Sequence, residues 1–215
     1  MMKKFINLSL LIILIAHTGF SQKKYSLFFS SGYDYNINYM SNMKYQNSNN
    51  FPDYNLGIGG AAYLNDRVRL RAELKYVNTS FSRQYDFETT TASTLSKSVI
   101  AINSIDVNPY LDYRFFSIGN FDLYGYSGFR FEFNMGDYQY SNTIDGDKSY
   151  KNYIESNYKK AMAGLTGGFS LNYNLTKKLA LSISPEYTYF LNYLYSNNKS
   201  NLERINVNLG VEWKF

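Results

Sequence analysis

Residues 68–79 read Val68-Arg69-Leu70-Arg71-Ala72-Glu73-Leu74-Lys75-Tyr76-Val77-Asn78-Thr79. Val68, Leu70, Ala72, Leu74 and Tyr76 share one side of an extended chain, and Arg69, Arg71, Glu73 and Lys75 share the other. Successive side chains of a strand point to opposite faces, so this period of two predicts a β-strand. Its apolar stripe carries no charge, and all its charges lie on the other face. The two faces of such a strand meet different media.

The same pattern recurs on both sides of this stretch. Upstream, segments at about 25–37 and 54–64 place Leu27, Phe29, Tyr33 and Tyr35, then Tyr54, Leu56, Ile58, Ala62 and Leu64, on apolar faces. Downstream, five more segments follow at about 100–116, 121–135, 160–174, 179–194 and 203–215. In the last of these, Ile205, Val207, Leu209, Val211, Trp213 and Phe215 oppose Arg204, Asn206, Asn208, Glu212 and Lys214. Ile100 and Ile102 are out of phase with Ile105 and Val107, which predicts a bulge near Asn103. Pro109 and Pro185 lie within apolar stripes, where a missing N–H predicts a bulge or bend at each.

A soluble β-sandwich would alternate too. Two features favour a transmembrane barrel instead. Several segments run to about 10 residues or more, the length of a tilted membrane strand, whereas globular strands average about 5–6. The connections also alternate. Short ones lie near Asp66, Gly119 and Lys177; long ones span roughly 38–53, 80–98 and 136–158, with a shorter polar one near 195–202. Short turns at one end and long loops at the other are the plan of an outer-membrane barrel. The expected fold is therefore all-β: an eight-stranded antiparallel up-and-down transmembrane β-barrel over 24–215, monomeric, with both termini on the periplasmic side. Trp213, Phe215, Tyr113 and Phe115 would form the periplasmic aromatic rim, and Tyr35, Tyr54, Tyr76, Tyr189 and Tyr193 the outer girdle.

Residues 1–21 read as a secretory signal peptide, with Lys3 and Lys4, an apolar run from Phe5 to Ala16, and small residues Gly19 and Ser21 before the cleavage point. Removing them lowers the formal charge of +5 by two and takes away His17, the single histidine. The mean hydropathy of −0.37 is that of a soluble protein. It averages a lipid-facing half with a charged lumen and wet loops. With Cys 0 there is no disulfide, thiolate metal site or cysteine nucleophile. No run of five like charges occurs, which argues against nucleic acid as a partner.

The eight segments, the leader and the terminal stretch Ile205–Phe215 resemble small outer-membrane barrels of the OmpA/OmpX type. Asp106-Val107-Asn108-Pro109-Tyr110-Leu111 and the arm Leu179–Tyr189 are similar to the outer membrane protein beta-barrel domain group that includes PorT-like proteins. The resemblance implies a bacterial outer-membrane location among lipid. It also implies that Val211, Trp213 and Phe215 form a signal for the barrel-assembly machinery.

An eight-stranded barrel is just wide enough for its side chains to fill. The expected lumen network comprises Arg69, Arg71, Glu73, Lys75, Asp106, Arg114, Arg130, Glu132, Glu186 and Glu212, centred on Arg71, Glu73, Arg130, Glu132 and Glu186. Unpaired charges in so small a space are costly, so a paired plug is the leading reading and a narrow porin-like channel the sharper alternative. Catalysis is not expected, because no histidine base remains after cleavage. No cofactor or metal is expected either; Asp145-Gly146-Asp147 lacks the rest of a calcium loop and reads as a solvated turn. The loops, rich in Asn, Ser, Thr and Tyr at Asn47–Asn50 and Tyr138–Tyr158, offer a surface-interaction role. The PorT-like resemblance implies the alternative of an accessory to a secretion or transport machine.

Overall fold

The computed structural model describes residues 24–39, 53–87, 94–142, 149–152, 159–192 and 201–215. Its strands are β1 (Tyr25–Tyr39), β2 (Tyr54–Tyr63), β3 (Val68–Phe87), β4 (Thr94–Ile118), β5 (Phe121–Asn142), β6 (Ser149–Asn152), β7 (Ala161–Asn174), β8 (Leu179–Phe190) and β9 (Asn201–Lys214). All pairings are antiparallel. Neighbours follow the order β4-β3-β2-β1-β9-β8-β7-β5, and a β4–β5 pairing joins the two ends into a closed barrel of eight strands. The short β6 hangs on the far end of β5, from Gln139↔Asn152 to Asn142↔Ser149. First and last strands meet along a long seam, from Ser26↔Lys214 to Tyr39↔Asn201. Closure pairs the backbone of the wall without leaving an edge, the condition for strands to cross hydrocarbon.

The short turns are built by local hydrogen bonds. At Asn65-Asp66-Arg67, the Asn65 Oδ1 accepts from the backbone N–H of Arg67 and of Val68, both at 2.8 Å. Thr176 does the same for Lys178 and Leu179, at 3.1 and 3.0 Å. Between β4 and β5, Gly119 takes a φ of 58°, which a two-residue hairpin demands and glycine accepts without strain.

The other end differs from expectation. Residues 80–87, 94–98 and 136–142, which fall within expected loops, are strand. β3 and β4 stay paired out to Phe87↔Thr94, and β4 and β5 out to Lys97↔Asn142. Beyond the bilayer neither face of a strand has to be apolar, so the alternation that marks a spanning segment fades while the ladder continues. A spanning strand needs only about 9–11 residues; β4 has 25 and β5 has 22, whereas β2 has 10. One side of the barrel therefore rises well above the rest. Residues 1–21, Asn47–Asn50, Asp145–Asp147 and Tyr193 lie outside the described residues.

The expected bulge is present but on the partner strand. Asn103 pairs with Gly136 and Ser104 with Asn134, so the extra residue is Met135 of β5. β4 itself keeps its phase there, and Ile102 is buried inside the barrel. A second irregularity, at Phe115, turns both Phe115 and Phe116 outward. Neither proline carries a bulge. Around Pro109 the β4–β5 ladder lapses between Val107↔Phe131 and Tyr110↔Gly128 with register unchanged, and around Pro185 the β7–β8 ladder does the same. Each proline faces a neighbouring strand that supplies a glycine. A Cβ on Gly128 would collide with the Pro109 carbonyl oxygen, and one on Gly168 with that of Pro185. Close approach absorbs the missing hydrogen bond without an inserted residue.

Candidate functional site

Every apolar stripe faces outward. Leu27, Phe29, Leu56, Leu74, Leu111, Phe129, Leu165, Ile183 and Leu209 are exposed, and the residues between them are buried. Aromatic rings gather toward both ends of this belt. Tyr113 packs edge-on against Phe115 at 5.4 Å and Phe121 against Tyr173 at 4.9 Å near the short turns, and Tyr54 meets Tyr76 at 6.3 Å at the other end. Such rings suit the level of the headgroups.

The interior is an ionic network that can be followed from end to end. At the short-turn end Glu212 of β9 meets Arg69 at 2.9 Å, and Arg69 Nε donates to Asp112 of β4 at 2.7 Å. Asp112 also accepts from Arg71 at 2.9 Å, and Arg71 reaches Glu73. Glu73 holds Lys75 at 2.9 Å, and Lys75 lies 3.9 Å from Glu186 of β8. Glu186 is 3.9 Å from Arg130 of β5, which pairs with Asp106 and lies 3.8 Å from Glu132. Glu132 then accepts from Arg204 of β9 at 2.8 Å. Five cations and six carboxylates thus form one chain of contacts. The period of two causes it: Arg69, Arg71, Glu73 and Lys75 climb one strand at about 6.6 Å per inward step. Partners on β4, β5, β8 and β9 fill the levels between them.

Aromatic and amide groups complete the packing. The Arg71 guanidinium lies 4.3 Å from the Tyr110 ring centre and 4.5 Å from that of Tyr126, and Arg69 lies 4.2 Å from Tyr124. The Tyr110 hydroxyl donates to Glu186 at 2.8 Å, Asn206 Nδ2 donates to its other oxygen at 3.0 Å, and the Tyr63 hydroxyl donates to Glu212 at 2.8 Å. Farther up, Arg204 donates to Asn36 at 2.6 Å and to Thr79 at 3.1 Å. Inward-facing Val77, Ile102, Met162, Phe190 and Leu202 are buried toward that end and replace charge with apolar filling. A void in the mid-lumen, lined by Arg69, Arg71, Glu73, Glu186 and Glu212 among others, is about 30 Å³. That holds a water or two and admits no solute.

Of the expected network residues, Arg69, Arg71, Glu73, Lys75, Asp106, Arg130, Glu132, Glu186 and Glu212 stand in this chain. Arg114 does not. It pairs with Asp122 at 3.6 Å near the short turns, with its side chain 28% exposed, because the Phe115 irregularity lies next to it at the barrel's end. Two more inward-facing residues, outside the expected set, belong to it: Asp112, which bridges Arg69 and Arg71, and Arg204, which ends the chain. Strand parity carried the signal for both, since they share an inward phase with Asp106 and Glu212. Val211 and Trp213 lie exposed on the outer face of β9, and Phe215 is exposed just past its end, at the rim. Among the described residues no group of three or more metal-ligating side chains occurs.

The model of the family described as "Outer membrane protein beta-barrel domain" matches residues 20–196. The chain belongs to this family. The protein resides in the bacterial outer membrane, in contact with its lipid. The match stops short of β9, the strand that closes the barrel against β1. Among solved structures, Ail, the attachment invasion locus protein of Yersinia pestis, is similar at 14% identity over 90% of this chain and 99% of its own, with a TM-score of 0.44. The N-terminal barrel domain of Pseudomonas aeruginosa OprF is similar at 16% identity over 90% of this chain and 100% of its own, with a TM-score of 0.45. Neisserial surface protein A is similar at 14% identity over 89% of this chain and 97% of its own, with a TM-score of 0.44. No curated protein matches the sequence.

Proposed function

We propose that this outer-membrane barrel is a sealed, non-enzymatic scaffold that acts through the surface raised by β3, β4, β5 and β6 on the outer side. The observation that carries this reading is the unbroken ion-pair chain from Glu212 to Arg204, with a void of about 30 Å³ among its mid-lumen members. Charges so placed neutralise one another across the lumen and hold the wall in register rather than conduct. The absence of a histidine beyond His17 supports a non-catalytic role, since the commonest general base is missing from the barrel residues and the lumen carboxylates are engaged by Arg and Lys. In this reading residues 1–21 are a cleaved signal peptide, and Val211, Trp213 and Phe215 engage the assembly machinery. Single-channel recording of the refolded protein in planar bilayers tests the plug. The expected result is no steady conductance; a stable ohmic current would overturn the plug in favour of a narrow channel.

A further inference from the structure

The short-turn end of the barrel opens into a cup of about 590 Å³, a volume typical of ligand pockets. Short turns lie on the periplasmic side of such barrels. Five cationic side chains line the cup: Lys24, Arg114, Lys177, Lys178 and Lys214, against a single acidic one, Asp66. That excess exceeds what remains of the chain's +5 once Lys3 and Lys4 are set aside, so the positive charge is gathered here. Lys214 Nζ donates to Asn174 at 2.6 Å and Arg114 pairs with Asp122. Among the described residues Lys24, Lys177 and Lys178 form no ion pair, and all three are exposed.

We infer that this cup docks an acidic, extended polypeptide segment of a periplasmic partner. Three observations select that occupant. First, the cations do not sit at one point: Lys24, Lys177, Lys178 and Lys214 line the wall where β1, β9 and β8 are neighbours, and Arg114 stands opposite them. A backbone bond from Lys214 N to Lys178 O at 2.7 Å places these two side by side, whereas Arg114 stands on β4, four strands from β9 around an eight-stranded wall. Adjacent strands are about 4.8 Å apart, so one phosphate cannot meet both sides, and carboxylates spaced along a chain can. Second, Arg114 and Lys214 share the inward phase of their strands and line the bore, while lipid meets the outer face. Third, the walls between them carry Tyr63, Leu64, Tyr124 and Phe215, which suit the aliphatic stems of glutamates. A concave, low-dielectric cup lined by one sign of charge focuses its field on an incoming partner. The ionic plug above closes the bore, so a segment that enters stays at the mouth.

The test uses the refolded barrel in nanodiscs of zwitterionic lipid and fluorescein-labelled octaglutamate, read by fluorescence anisotropy. Octalysine serves as the control peptide. Octaglutamate is expected to bind and octalysine is not. The triple variant K24Q/K177Q/K178Q should weaken binding by about ten-fold or more, with the loss largest at low salt, as for rim charges that steer a partner. All three positions are exposed, and unchanged heat-dependent gel mobility of the variant reports intact folding. Absent binding, or binding unaffected by the triple variant, would overturn the inference. Displacement of octaglutamate by inorganic phosphate at equal concentration would overturn it in favour of a small-anion site. In a second set of nanodiscs doped with phosphatidylglycerol, its selective retention by the parent protein, without octaglutamate binding, would overturn it in favour of lipid headgroups.

Discussion

Replacing Arg130 with methionine removes the hub of the ion-pair chain while keeping an unbranched stem in the lumen. The effect follows from what each partner retains. Glu132 keeps Arg204 at 2.8 Å, and Glu186 keeps Lys75 together with hydrogen bonds from Tyr110 and Asn206. Asp106 has no other ion pair among the described residues and is completely buried. The variant therefore strands one carboxylate, and breaking a buried pair from one side costs about 3–5 kcal/mol. The double variant D106N/R130M removes the stranded charge along with its partner. Neutral replacement of both members of a buried pair is often close to harmless, so it should recover about 2–3 kcal/mol of the loss. Urea titration of folding into lipid vesicles measures both. The single tryptophan, Trp213, faces outward on β9 and reports insertion directly. A cost below about 1 kcal/mol for R130M, or a double variant no more stable than the single one, would refute the claim that this pair is desolvated and mutually dependent.

Three further outcomes check other parts of the structure. Leu209 is the more exposed neighbour of buried Asn208, so L209R should cost roughly 2–4 kcal/mol at the bilayer midplane while N208S costs little; equal costs would show the faces to be misassigned. G128V should destabilise the barrel by about 1–3 kcal/mol through collision with the Pro109 carbonyl and the Tyr110 ring, whereas G136V, with nothing near its Cβ, should not; urea midpoints compare them. Unheated protein should run as a compact band on detergent gels and shift on boiling, as expected of a closed hydrogen-bonded wall; a single position before and after heating would argue against closure.

By itself the sequence determined the strands that cross lipid, the face each turns outward, and the class of residue inside. Lipid imposes a one-residue rule: each outward position must be apolar, and the next one need not be. That rule is local and survives in the order of residues, as in Val68–Thr79. Where the rule lapses, reading stopped. Residues 80–87 and 94–98 are strand, yet their sequence carries no alternation to show it. Ile102, apolar in the inward phase, signalled filling of the outer lumen and not a bulge in its own strand. Strand parity could say that Arg69, Glu186 and Arg204 point into the bore. It could not say that Arg69 meets Asp112 and Glu212, that Arg204 meets Glu132, or that Arg114 leaves the network. Those partners lie on strands far apart in sequence, and their levels depend on register, on the bulge at Met135 and on the β1–β9 seam. Only closure of the barrel sets these heights, so only the tertiary structure decided that the charges form one connected plug and that lysines from separate strands and turns meet at one mouth.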